Sequence, residues 1–124
     1  MPLLYSIIES PAHPDLSALY RELGLRELRF PSQRKAIAHL RREPPDWVVA
    51  EFFYGWGNNY AGANVSNLDV LLHSLRKYAP QARSIVLAGP DQIPHVDKLA
   101  ALFELHAVLP LPLDRERMRE ALAG

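Results

Sequence analysis

Cysteine is absent from the 124-residue chain, which excludes disulfides, thiolate nucleophiles and cysteine-ligated metal, and is compatible with a reducing cytoplasm. Net charge is absent too, with 14 Lys and Arg against 14 Asp and Glu. That balance removes the long-range positive field behind most nonspecific nucleic-acid affinity and any strong attraction to an anionic membrane. Only a local basic face remains, at Arg34, Lys35, Arg41 and Arg42, and such a face is most often solvated helix surface rather than a nucleic-acid contact. Long apolar runs are also missing. The stretch from Leu3 to Ile8 is too short to span a membrane and lacks the basic region that precedes a signal peptide's apolar core, so a soluble cytoplasmic protein is expected. No repeat, linker or low-complexity segment interrupts the chain. With 48% apolar residues, its length suits one domain over residues 1–124.

What is present is an alternation of short apolar runs with helical patterns, the signature of βα units and a mostly parallel sheet. The candidate strands are Leu3 to Ile8, Arg26 to Phe30, Trp47 to Phe53, Ser84 to Leu87 and Ala107 to Leu109. The first, third and fourth are nearly continuous apolar runs, as expected of central strands covered on both faces, whereas the second alternates like an edge strand. Between them, Leu16, Leu19, Tyr20 and Leu23 recur at helical spacing and Gly24 supplies a left-handed stop. Ser32 can cap a second helix with Ile37 and Leu40 inward, ended by Pro44 and Pro45. Ser66 and Asp69 make a capping-box-like start to a third helix with Leu68, Leu71, Leu72 and Leu75 on one stripe. Pro94 suits the first turn of a fourth, with Leu99, Leu102 and Phe103 inward, and Asp114 can cap a fifth containing Met118 and Leu122.

Three phrases fall at strand ends in this order. They are Pro45-Asp46-Trp47-Val48-Val49-Ala50-Glu51, Ser84-Ile85-Val86-Leu87-Ala88 and Leu109-Pro110-Leu111-Pro112-Leu113-Asp114. Together they resemble the third, fourth and fifth strands of response-regulator receiver domains, in the CheY-like superfamily. There the phrases end in a phosphate-accepting aspartate, in a Thr or Ser, and in Lys-Pro. The resemblance implies a flavodoxin-like sandwich of five βα units, with a five-stranded parallel sheet of order 2-1-3-4-5 and helices on both faces.

In receivers, acidic residues after the first strand and the strand-three aspartate hold Mg²⁺ while that aspartate attacks a phosphoryl group. Metal and lysine then neutralise the transferring oxygens, and the hydroxyl contacts the bound phosphoryl. This chain departs at every one of those positions. It has Glu9 and Ser10 after the first strand, Glu51 in place of the acceptor, Ala88 in place of the hydroxyl residue and Leu111 in place of the lysine. Glutamate is one methylene too long for in-line attack, and misplacement of that order is costly in rate. The resemblance therefore implies a degenerate pseudo-receiver without phosphotransfer, metal or cofactor, acting as a regulatory protein-interaction module. Glu51 could imitate a charged acceptor, but the groups that would read that charge are missing. It is instead expected to be a partly solvated strand-end carboxylate near Glu9, with a raised pKa open for one of the two.

The least ordinary segment follows Glu51 and is longer than the corresponding receiver loop. It runs from Phe52 to Asn67 with Tyr54, Trp56, Asn58, Asn59 and Tyr60 among glycines and asparagines. Large amphipathic aromatics of this kind anchor interfaces. Two readings stay open: a lid that binds a protein or a small ligand, or a loop that folds its aromatics over the sheet end. Phe52 and Phe53 are assigned to strand and core. His13, His39, His73, His95 and His106 have no metal-ligand spacing, and the glycines match neither a P-loop nor a dinucleotide fingerprint. Leu99, Leu102, Phe103, Val108, Leu111 and Leu113 are rich in apolar character near the last helices, and the resemblance implies a homodimer through that face. The alternative function is a small-ligand or catalytic site lined by Glu9, Glu51 and the aromatic loop at the carboxyl ends of the strands. No nucleophile, base and orienting residue converge to name a reaction.

Overall fold

The computed structural model describes residues 1–55 and 65–123. Five strands, β1 (Leu3–Ile7), β2 (Arg26–Phe30), β3 (Trp47–Glu51), β4 (Arg83–Ala88) and β5 (Ala107–Pro110), form one parallel sheet of order β2-β1-β3-β4-β5. The helices between them are α1 (Ser17–Glu22), α2 (Gln33–His39), α3 (Asp69–Tyr78), α4 (Val96–Ala100) and α5 (Arg115–Ala123). This is the flavodoxin-like arrangement expected from the sequence.

Strand periodicity divides the core in two. Leu4, Trp47, Val49, Ile85, Leu87 and Leu109 pack with Leu16, Leu19 and Tyr20 of the α1 region and Met118 of α5. On the other face Leu3, Tyr5, Ile7, Val48, Ala50 and Val86 pack against Ala36 of α2, the α3 stripe and Leu99 of α4. β1 and β3 are buried along their whole length, which explains their unbroken apolar runs, while β2 at the edge has no fully buried residue.

Local signals act as expected. Gly24 has φ of 75° just after α1, a conformation open to glycine. The Ser32 hydroxyl accepts from the Lys35 N–H at 3.2 Å to start α2. At α3 the Asp69 carboxylate accepts from the Ser66 N–H at 2.7 Å, and the Ser66 hydroxyl accepts from the Leu68 N–H at 3.0 Å, a reciprocal cap. The Asp114 carboxylate accepts from the Glu116 N–H at 2.9 Å at the start of α5. Pro94 lies in a 3₁₀ turn, Ile93–His95, that leads into α4.

One packing expectation fails near the last helices. Leu102 is 53% exposed, because α4 ends at Ala100 and the following turn rotates it outward, although Leu99 and Phe103 are buried as expected. Of the apolar residues near the last helices, Leu99, Phe103 and Leu111 belong to the core, so Leu102 and Val108 are the large exposed ones there.

Candidate functional site

The parallel sheet brings the carboxyl ends of β3, β4 and β5 side by side. Glu51 pairs in register with Leu87, Ala88 with Pro110, and the Leu111 N–H donates to the Ala88 carbonyl at 2.8 Å. Glu51, Ala88 and Leu111 are thus brought to one edge, with Glu9 and Ser10 following β1 beside them. Ala88 and Leu111 are buried and packed on opposite faces of the sheet. Both contribute apolar contacts there.

Glu51 is 1% exposed, which corrects the expectation of a partly solvated carboxylate. The extra methylene lets it reach across to the loop after β1. Its Oε2 accepts from the backbone N–H of Glu9 at 2.8 Å and of Ser10 at 3.1 Å, and its Oε1 accepts from the Ser10 hydroxyl. The Ser10 Oγ also accepts from the Ala12 N–H at 3.2 Å, fixing the turn. Burial pushes the Glu51 carboxyl up, but His13, the Ser10 hydroxyl and the Glu9 N–H together outweigh it and hold it below the ordinary range. For Glu51 the direction is thus the opposite of the raised value left open from the sequence. Glu9 itself is exposed and turned aside, with Oε1 accepting from Gln33 Nε2 at 3.1 Å.

Sequence reasoning missed His13. It sits in the β1–α1 loop, 6% exposed, with Nδ1 3.5 Å from Glu51 Oε2. That separation is too long for a good hydrogen bond, and neither ring nitrogen has a partner among the described residues. A protonated His13 would place a positive charge against the buried carboxylate. The available signal was strand parity: Glu51 shares the side of Trp47 and Val49, the face that α1 covers, and the loop carrying His13 leads into α1.

The residues present do not fit the divalent ion that receivers use. Both Glu51 oxygens are occupied by loop donors, and position 10 holds a hydroxyl that donates to Glu51 instead of a second carboxylate. Among the described residues no group of three His, Asp or Glu is placed to hold a metal.

The aromatic loop is described only at its ends. Trp56, Asn58, Asn59 and Tyr60 lie outside the described residues. Asn67, another residue the sequence reading passed over, closes the stem: its Oδ1 accepts from the Phe53 N–H at 2.7 Å and its Nδ2 donates to the Glu51 carbonyl at 2.8 Å. Tyr54 forms an antiparallel bridge with Ser66 and its N–H donates to Gln92 Oε1 at 2.7 Å. Its ring stacks on His95 with centroids 4.1 Å apart, and Lys98 Nζ donates to its hydroxyl at 3.0 Å. Tyr54 remains 42% exposed, so it lies on the α4 flank as an accessible surface. Phe52 is in the core as expected, while Phe53, assigned from the sequence to strand and core, is half-buried and lies beyond the end of β3.

A cavity of about 490 Å³ lies at the other end of the sheet, lined by residues that include Arg76, Ala79, Arg83, Phe103, Glu104 and His106. It does not coincide with the pocket expected at the carboxyl ends of the strands.

No family model matches the chain, and no curated protein matches it in sequence. Solved structures do match in fold. A response regulator receiver protein from Pseudomonas putida superposes with a TM-score of 0.72 at 16% identity, covering 98% of this chain and 95% of that one. The receiver domain of AraT, a response regulator from Geobacillus stearothermophilus, gives 0.70 at 18% identity, covering 98% and 88%. An adenylate cyclase structure from Rhodopirellula baltica gives 0.72 at 13% identity, covering 98% and 84%. The chain therefore shares the fold of these receiver domains. None of its helices is long and apolar enough, among the described residues, to cross a membrane.

Proposed function

We propose that this chain is a phosphorylation-independent pseudo-receiver, a non-catalytic signalling or regulatory module that acts through protein contacts. The carrying observation is the Glu51 clamp: a buried carboxylate at the acceptor position is spent on Glu9, Ser10 and the neighbouring His13. A phosphoacceptor must present a free oxygen in line with the phosphoryl group, and a metal must reach the same oxygens. The clamp opposes both requirements, and Ala88 and Leu111 offer neither a hydroxyl nor a cation to a transferred phosphoryl.

The partner surface in this reading is the Tyr54 end of the aromatic loop on α4, with self-association through the α4-β5-α5 face as a second contact. Exposed Tyr54, Leu102 and Val108 support those positions. The fold likeness to receiver domains supports the signalling role, and the absence of membrane-spanning helices among the described residues accords with a cytoplasmic setting. Incubation with a small phosphodonor and Mg²⁺, followed by intact mass measurement, is expected to give unmodified protein. A stable phosphoryl adduct on Glu51 would reverse the reading. Tyr54→Ala is expected to remove partner capture and, because it also loses the His95 stack and the Lys98 hydrogen bond, to lower the unfolding midpoint by about 4–8 °C while the chain stays folded. Unchanged capture rejects that surface.

A further inference from the structure

We infer that the cavity at the amino ends of β4 and β5 is a binding site for phosphate, either free or carried by a small organic ligand. It is remote from the Glu51 clamp and independent of it. Its floor is built by Leu72, Leu75 and Phe103, each almost fully buried, so most of its exposed lining is polar, and its rim carries Arg76 and Arg83. The volume, about 490 Å³, lies in the range of small-molecule sites.

The two arginines are held in an unusual way. The Arg76 guanidinium carbon lies 4.8 Å from the centre of the Phe103 ring, which also meets the His73 ring edge-on at 4.8 Å. The Arg83 guanidinium carbon lies 5.2 Å from the centre of the Trp47 ring, and that ring meets His106 edge-on at 5.1 Å. Each guanidinium is positioned by an aromatic ring, and neither pairs with a carboxylate among the described residues. Arg76 gives one N–H to the Leu102 carbonyl at 2.8 Å. The nearest acid along the chain to Arg83's strand partner, Asp46, spends its carboxylate on the Leu3 N–H at 2.7 Å.

A ring-supported guanidinium keeps most of its planar donor fork free, the geometry that matches phosphate oxygens. Two further cations, Arg41 and Lys77, lie over the Tyr78 ring at 5.5 Å and 5.2 Å but do not line the cavity. Neither forms an ion pair among the described residues, and they lie near the C-terminal ends of α2 and α3, where they complement the helix dipoles. Dipole complementarity accounts for cations at helix ends, but Arg83 is on a strand and the concave apolar floor beside it is not explained that way. The opposing charge is the exposed Glu104, which lines the same cavity and weakens the site.

The test is nuclear magnetic resonance titration of the folded chain with inorganic phosphate, pyrophosphate and adenosine monophosphate, at constant ionic strength set with sodium chloride. Saturable shifts are expected at the Arg76 and Arg83 side-chain Nε–H signals and at the His106 ring, with the Arg34 and Arg42 signals unmoved. Arg83→Gln should weaken binding about tenfold, the scale of one charge-assisted contact, Arg83→Lys should weaken it less, and Glu104→Gln should tighten it. Tighter binding of the monophosphate than of inorganic phosphate assigns the apolar floor to the body of an organic ligand, and equal binding assigns the site to free phosphate. Shifts spread evenly over all exposed arginines, no saturation, or equal binding by a folded Arg83→Gln variant would each overturn the inference.

Discussion

Replacing Glu51 with glutamine changes the clamp by one charge and almost no volume. The native carboxylate accepts two backbone N–H donors and one hydroxyl and lies beside His13, all behind a surface that leaves it 1% exposed. Hydrogen bonds to a charged group contribute about 1.5–3 kcal/mol each, against about 0.5–1.5 kcal/mol for neutral ones. A glutamine can keep two of the three bonds through its oxygen and must turn its amide toward the Ser10 hydroxyl. The exposed loop lets water satisfy part of what is lost, so Glu51→Gln should cost about 1–3 kcal/mol at pH 7. Urea unfolding at a series of pH values measures it as a fall in midpoint at unchanged slope. The folded Glu51 pKa lies below its ordinary value, so the unfolded chain binds more protons between the two. The stabilisation is present above the ordinary value of 4.5 and is lost as pH falls through the folded value. The gap between wild type and Glu51→Gln should therefore close in acid. A gap below about 0.5 kcal/mol at pH 7, the size of an ordinary surface substitution, would refute the clamp, as would a gap that does not shrink in acid.

Glu51→Asp restores the receiver residue but withdraws the carboxylate by about one bond length, roughly 1.5 Å, from donors now at 2.8–3.1 Å. It should destabilise the fold and still give no phosphoryl adduct by intact mass, because Ala88 and Leu111 remain; an adduct would show that residue 51 alone blocks the chemistry. Asn67→Ala removes both side-chain bonds that fasten the loop stem to β3, and should cost about 1–3 kcal/mol with faster amide exchange at Phe53 and Tyr54; unchanged exchange would show that the Tyr54–Ser66 bridge holds the stem alone. Tyr20→Phe should leave stability unchanged or raise it by up to about 1 kcal/mol, since the Tyr20 hydroxyl is buried without a partner among the described residues. A clear loss in thermal unfolding would reveal a partner for that hydroxyl. Burial pushes the Tyr5 hydroxyl up to about 12, so its contribution is complete below pH 10, its ordinary value, and is lost as pH rises toward the folded value. A Tyr5→Phe chain whose alkaline loss of stability matches wild type would exclude that source.

The fold was legible because backbone geometry and burial leave strong period signals. β1 and β3 had to be central once their apolar runs were unbroken, and β2 had to be an edge once its residues alternated. Ser32, Asp69 and Asp114 announced helix starts through short side chains whose oxygens reach only the next few N–H groups. Leu102 was misplaced because its pattern assumed a regular helix, and α4 stops two residues earlier.

The site was legible in its positions and illegible in its contacts. Composition and order put Glu51 at the end of β3 beside Glu9, Ala88 and Leu111, but the same information could not tell whether a longer side chain would turn to solvent or fold inward. The decision rests on long-range geometry: the loop after β1 presents two N–H groups and a hydroxyl to the sheet edge, and a carboxylate lengthened by one methylene spans the gap that shorter aspartate leaves. A buried charge is stable only when it is surrounded by donors, and here the donors come from a loop separated from Glu51 by 41 and 42 residues. His13 escaped notice for the same reason, since its importance is set by what lies across the sheet and not by its neighbours in sequence. Glu51 therefore acts as a strut between the end of β3 and the loop after β1. The Ser10 hydroxyl belongs to the same arrangement, because it donates to the buried carboxylate that the two backbone N–H groups also hold.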